Sequence, residues 1–337
     1  MSSKFAASTI RATAPMFLAA VLFVSLASAV PADAKFTVFD APGSTGTYGY
    51  AINSTDSITG GWTDANGITH GYLRAPDGSI TSFDPPNSIN TVPEGINDGG
   101  TIVGFFDDSI AEHGFVRASD GSITVIDEGG ATQTDIYAIN DKGTVTGFYF
   151  DSDGFQHGFV LTAKGKFTSF DLGTGGAFPR CINSGGAIAG FYFDNVGVHG
   201  FLRAPDGTVA SFDGPGSSTT IAYGIDTKDV VVGYYLDGNG IDNGFVRDSA
   251  GNITTFQIVT GADTIGRGIN SKGEIVGRYA DGNGELHGFL RSRAGKITSF
   301  DPKGSTSTYG TAINSDGLVT GFFLDGQGVE HGYVRTP

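Results

Sequence analysis

Residues 96–127, INDGGTIVGFFDDSIAEHGFVRASDGSITVID, hold one copy of a pattern that recurs along the chain. Its apolar runs, including 101–106, 114–117 and 122–127, are short and are separated by Asp- and Gly-rich segments. Asp-Gly, Asn-Gly and Ser-Asp-Gly between such runs are hairpin signals, so the stretch reads as antiparallel strands joined by tight turns.

The pattern can be followed outward in both directions. A Phe-Asp end or near equivalent recurs at Phe39-Asp40, Phe83-Asp84, Ile126-Asp127, Phe170-Asp171, Phe212-Asp213, Phe256-Gln257 and Phe300-Asp301, at spacings of 44, 43, 44, 42, 44 and 44. An Ile-Asn pair keeps step at Ile52, Ile96, Ile139, Ile182, Ile225 (followed by Asp226), Ile269 and Ile313. Next come Gly61-Trp62, Gly104-Phe105, Gly147-Phe148, Gly190-Phe191, Gly233-Tyr234, Gly277-Arg278 and Gly321-Phe322. A His-Gly-aromatic triplet follows at His70, His113, His157, His199, His287 and His331, with Asn243 in the fifth copy.

Four antiparallel strands per unit at a period near 43 residues predict an all-β, seven-bladed β-propeller that fills residues 35–337 as one domain. A parallel solenoid is disfavoured, because its rungs are parallel and these units carry hairpins. The chain has 54 glycines in 337 residues, and an interior glycine costs a helix about 1 kcal/mol, so long helices are excluded. Residues 36–40 have the sequence of a fourth strand, and the chain ends on that of a third strand at 331–335. The N-terminal strand is therefore expected to close the last blade and cover its open edge.

Residues 1–34 read as a secretory signal peptide. Lys4 and Arg11 precede an apolar run at 16–26, followed by small residues ending at Ala29 or Ala34; the run is too short to span a bilayer. The expected location is secreted or periplasmic, with no membrane insertion. Net charge is −15; loss of Lys4, Arg11 and Asp33 makes it −16, which repels phosphate backbones and argues against nucleic acid. The single Cys181 excludes an internal disulfide.

On the triplet and the period, the units resemble the extracellular HAF repeats, named for a His-Ala-Phe triplet. This chain carries Gly in the middle, as in His70-Gly71-Tyr72 and His113-Gly114-Phe115. The resemblance covers residues 36–337 and implies secretion and a repeat scaffold; it implies no activity and no catalytic residues. The Phe-Asp ends also look like the Trp-Asp ends of WD40 blades, but His70 precedes Phe83 by only 13 residues, which is not that family's spacing.

All six histidines sit in the triplet. On third strands of neighbouring blades they would stand roughly 15 Å apart, too far to share a metal, so each is expected to be a structural hydrogen-bonding residue. The triplet aromatics and the series Arg74, Arg117, Arg203, Arg247, Arg291 and Arg335 are read as repeat scaffolding. Acidic turns such as Asp151-Ser152-Asp153-Gly154 and Asp281-Gly282-Asn283-Gly284 lack a spaced carboxylate and read as hairpins, not calcium loops. Nucleotide-binding, hydrolase-elbow and metalloprotease motifs are absent. No cofactor and no metal are expected.

One position stops repeating. Two residues before the repeated Ile lie Tyr50, Glu94, Tyr137, Arg180, Tyr223, Arg267 and Thr311, and the next slot is always small: Ala51, Gly95, Ala138, Cys181, Gly224, Gly268 and Ala312. A small slot suits a crowded innermost strand, where neighbouring positions come within about 7 Å. The candidate ligand-binding residues are therefore Tyr50, Glu94, Tyr137, Arg180, Tyr223 and Arg267. Tyrosine faces with arginine forks suit a sugar or acidic saccharide; the plainer reading, channel-lining residues without a ligand, stays open. Trp62 reads as a core substitution, and Arg278 with Gln257 marks the sixth unit as irregular.

Three functions remain. The first is a monomeric, non-catalytic scaffold binding an extracellular ligand, saccharide or protein, at the channel face. The second is an extracellular propeller enzyme, a polysaccharide lyase or hydrolase. The third is an interaction scaffold using the outer rim. Uniform units without insertions favour binding, since a catalytic site needs a clustered acid and base.

Overall fold

The computed structural model describes residues 35–337, and the leader expected at 1–34 lies outside the described residues. Twenty-eight strands, β1 to β28 in chain order, account for all the regular structure among the described residues, with no helix. β1 (Phe36–Phe39) comes first, followed by the meander β2 (Gly46–Ile52), β3 (Ile58–Thr63), β4 (Thr69–Arg74) and β5 (Ile80–Phe83). The same order repeats down to β26 (Ser307–Ile313), β27 (Val319–Leu324) and β28 (Glu330–Arg335). Here β1 pairs antiparallel with β28, Phe36 opposite Arg335 and Phe39 opposite Gly332. The first and last strands of the described residues thus share one sheet.

The repeated residues explain how units join. The triplet aromatics Tyr72, Phe115, Phe159, Phe201, Phe245, Phe289 and Tyr333 are all fully buried. Against each, in six seams, packs the phenylalanine that ends the preceding unit: Phe39 meets Tyr72 edge-on at 6.0 Å, and Phe300 meets Tyr333 at 6.2 Å. The repeated arginine covers the same phenylalanine, with Arg74 Cζ 5.0 Å from the Phe39 ring and Arg335 Cζ 5.0 Å from Phe300. Apolar burial and cation–π attraction therefore act at one contact.

The Ile-Asn asparagines tie the other end. Asn53 Nδ2 donates to Asn97 O at 3.0 Å, Asn97 to Asn140 O, Asn140 to Asn183 O, Asn183 to Asp226 O, Asn270 to Asn314 O, and Asn314 back to Asn53 O at 3.1 Å. The series returns to its start. It skips one link, because the Asp226 carboxylate has no N–H to donate; it accepts from the backbone N–H groups of Lys228 and Val230 instead.

The histidines are structural, as expected. Each places Nδ1 beside the aspartate of a Phe-Asp end: His70 to Asp84, His113 to Asp127, His157 to Asp171, His199 to Asp213, His287 to Asp301 and His331 to Asp40, at 2.6–2.9 Å. A hairpin aspartate faces Nε2, as Asp194 does at 3.1 Å from His199.

Two alignments need correction. The motif match put Gly61-Trp62 with Gly104-Phe105. Yet Gly60 opposes Tyr72, as Gly104 opposes Phe115, and Trp62 opposes His70, as Phe106 opposes His113. A doubled glycine shifted the motif by one residue, and Trp62 holds a different slot, stacked on His70 at 4.5 Å. Gln257 also does not belong with Arg278. It directly follows the strand Ile253–Phe256, which pairs with Asp242–Arg247, so Gln257 and Asn243 replace aspartate and histidine within one unit.

Candidate functional site

Every inner strand breaks register at the same place. The shifts fall between Gly49 and Ala51, Pro93 and Gly95, Ile136 and Ala138, Pro179 and Cys181, Ala222 and Gly224, Gly266 and Gly268, and Gly310 and Ala312. The residues left without a ladder partner are Tyr50, Glu94, Tyr137, Arg180, Tyr223, Arg267 and Thr311. A bulge frees one residue from pairing and re-aims its side chain, and here it does so in every unit. All seven are half-buried and line a single cavity of about 320 Å³, together with Phe322.

The small neighbours have the expected cause. A Cβ on Gly268 would lie 3.3 Å from both Ala312 Cα and Thr311 O, and one on Gly224 would lie 3.1 Å from Arg267 O. The next inner strand's backbone occupies the space. Cys181 is part-buried; its Sγ contacts Ala189 O at 3.6 Å, and burial pushes the thiol up to about 12. It is therefore not a reactive nucleophile at neutral pH.

Two arginines of the ring are held flat. Arg180 Cζ lies 4.1 Å from the Tyr137 ring centre and Arg267 Cζ 4.3 Å from that of Tyr223. Tyr50 stacks on Tyr48 at 6.1 Å, and the Thr311 hydroxyl donates to Gly49 O at 2.8 Å. Burial holds the Tyr50 and Tyr137 hydroxyls above their ordinary value, with Glu94 adding to it, so both stay protonated donors. Glu94 is raised to about 7, first by burial and then by Asp135, while Arg180 and Arg267 pull it back. Its carboxyl touches the cavity yet lies deep in the fold, so water only partly offsets the burial.

Sequence reasoning missed Asp135. It is 3% exposed, accepts from the Tyr137 hydroxyl at 3.3 Å and from Gln133 Nε2 at 3.2 Å, and occupies a slot that the other units fill with Tyr48, Val92, Phe178, Ile221, Ile265 and Tyr309. That contrast was available in the aligned repeats. Phe322, which the sequence shows only as the aromatic of a repeated Gly-aromatic pair, also lines the cavity. Arg278 lies in the same register as Phe322 and covers Tyr309 at 4.9 Å.

Elsewhere, Asp281, Glu285 and His287 bring one potential ligand atom each within 4.8 Å of one another, a grouping that residues 281–284 alone did not reveal. Asp281 already accepts the N–H groups of Asn283 and Glu285, and His287 already faces Asp301. A second cavity, of about 180 Å³, opens beside Asp226 and is lined by Lys228, Ile269, Ile275, Arg291 and Arg293 among others.

No family model matches the chain, and no curated protein matches it either. Solved structures do. A catalytically inactive virginiamycin B lyase from Staphylococcus aureus with quinupristin is 17% identical, with TM-score 0.59 over 90% of this chain and 100% of that one. The β-propeller domain of the Trilobed protease from Pyrococcus furiosus gives TM-score 0.62 at 8% identity, over 87% and 94%. The BP39L lectin from Burkholderia pseudomallei gives 0.54 at 12%, over 86% and 96%. At such identities the likeness speaks for the fold alone: the chain is an all-β propeller.

Proposed function

We propose that this protein is a secreted, monomeric, non-catalytic β-propeller of seven blades, closed by its N-terminal strand, that binds a saccharide of its surroundings at the central cavity. The observation that carries the reading is the bulge common to all inner strands, which directs the one variable position of the repeat into a shared space. Four-strand pairing, the β1–β28 contact and the returning asparagine series support seven blades and their closure. The His-Gly-aromatic triplets support membership of the extracellular His-Ala-Phe repeat proteins. The cavity is at the lower end of the range for small-molecule sites, about 300–1,000 Å³, and mixes apolar faces with a few polar groups. The acidic surface disfavours nucleic acid.

A second reading, an extracellular lyase or hydrolase, has one observation in its favour. Glu94 titrates near neutrality beside two arginines, which suits a general acid or base. Against it, burial holds the Tyr50 and Tyr137 hydroxyls above their ordinary value, so neither is poised to act as a base beside Glu94.

Thermal melting of the mature protein against neutral and acidic oligosaccharides tests the proposal, with a Tyr137→Ala/Arg180→Ala/Arg267→Ala variant alongside. A ligand at 100 times its dissociation constant adds about 2.7 kcal/mol. A shift in the wild type that is lost in a still-folded variant supports a cavity site; no shift with any saccharide overturns it. Product formation from a bound saccharide would establish the enzyme reading instead.

A further inference from the structure

We infer that the ligand of the central cavity is anionic and presents a carboxylate to the guanidinium groups of Arg180 and Arg267, as a uronic acid would; this rests on the saccharide reading above.

The ring arginines differ from five of the six repeat arginines in their partners. Arg74, Arg117, Arg203, Arg247 and Arg291 each donate Nη1 to the next residue's carbonyl, at 3.4–3.5 Å. Arg180 and Arg267, like the sixth repeat arginine Arg335, make no such bond. Every side-chain ion pair among the described residues joins a histidine to an aspartate, so neither guanidinium has a carboxylate within 4.0 Å. Nε is buried without an acceptor in Arg180 and equally in Arg74, Arg117, Arg247 and Arg335, so it is the Nη groups of Arg180 and Arg267, at the cavity, that a ligand can reach.

The nearby acids are occupied or withheld. Asp135 is engaged by Tyr137 and Gln133. Glu94 lines the same cavity but sits beyond ion-pair distance of both arginines, and burial raises it to about 7 against their pull. The guanidinium faces are covered by Tyr137 and Tyr223, which leaves their edges, where the N–H groups are, for the ligand. A guanidinium edge matches a carboxylate through two parallel bonds. The same Tyr–Arg step occurs twice, at Tyr137–Arg180 and Tyr223–Arg267, so the cavity offers two equivalent forks. A neutral sugar would satisfy neither charge.

The test is calorimetric titration of the mature protein with glucuronate and galacturonate, with glucose and galactose as their neutral counterparts, and with acetate. Arg180→Lys and Arg267→Lys keep the charge and lose the fork; circular dichroism confirms their folding. The inference expects uronates to bind at least about tenfold tighter than neutral sugars, and each lysine variant to lose about tenfold for uronates. Equal binding of neutral and acidic sugars overturns the inference and leaves the saccharide site standing. Acetate binding as tightly as uronate supports the anion site and overturns the saccharide reading beneath it. No binding by any of these probes overturns both.

Discussion

Leu161 and Ile126 pack into the same buried cluster, in the two places that the other six seams give to an arginine and the phenylalanine beneath it. Both members of the pair changed together. The same holds where Asn243 and Gln257 replace histidine and aspartate, so each contact behaves as a unit: one partner alone has no use for its position.

Leu161→Arg should therefore destabilise the fold, because its guanidinium would be half-buried over an aliphatic side chain. Adding Ile126→Phe should recover part of the loss. Urea denaturation of both singles and the double should give a favourable coupling of at least about 0.5 kcal/mol. Additive effects would mean that the six arginine–phenylalanine contacts are incidental.

Asp226→Asn should stabilise the protein. The new amide can donate toward Asn270 O, as its counterparts do, while its oxygen keeps the turn bonds to Lys228 and Val230. The expected gain is about 1 kcal/mol, a rise of ~2 °C in melting temperature. A fall would show that the carboxylate itself stabilises this unit.

Stability should fall as pH rises from about 5 to 8. Glu94 is raised to about 7 and Asp242 to about 6, chiefly by burial. Glu112 is held up by burial and by Asp135 and Asp107. The folded protein thus holds protons that the unfolded chain releases across this range. Burial works against charging His157, His199 and His331, but their aspartates outweigh it and raise them; that stabilisation is full below the free histidine value and is lost on the way up. At the acid end, Asp64, Asp108, Asp237 and Asp325 are lowered, first by backbone N–H bonds, so stability drops again below about pH 4. Melting temperatures across this range check the shape, and a maximum at pH 8 would contradict it.

Phe39→Ala should cost about 3–5 kcal/mol, as for a large core aromatic. Phe39 is 8% exposed and joins β1 to the next unit through Tyr72 and Arg74. Val38 is 47% exposed, and Val38→Ala should change stability by less than about 0.5 kcal/mol. Equal effects, measured by urea denaturation, would mean that this strand contributes only backbone bonds.

Strand order, turn positions and the pairing of β1 with β28 were all readable from the sequence. Alternation and Asp-Gly turns are local signals, and a repeat multiplies them. The variable position was readable too, because Tyr50, Glu94 and Arg180 cannot share one packing role. The bulge behind it was not, since register depends on the partner strand. Asp135 escaped notice for a different reason: a single acid in an apolar slot stands out only once the slots are correctly aligned. The doubled glycine at Gly60-Gly61 shows how one extra copy of a motif residue moves that alignment.

The bulges also bear on how such a protein changes over evolutionary time. A residue outside the ladder gives no backbone pair to the neighbouring strand, so Tyr, Glu, Arg and Thr are all accommodated at the same place without altering a single strand pairing. Mutation can explore new chemistry at seven separate sites while the scaffold stays untouched. One ring of this kind could be reissued for ligand after ligand, and a library randomised at these positions should yield mostly folded proteins with divergent specificities.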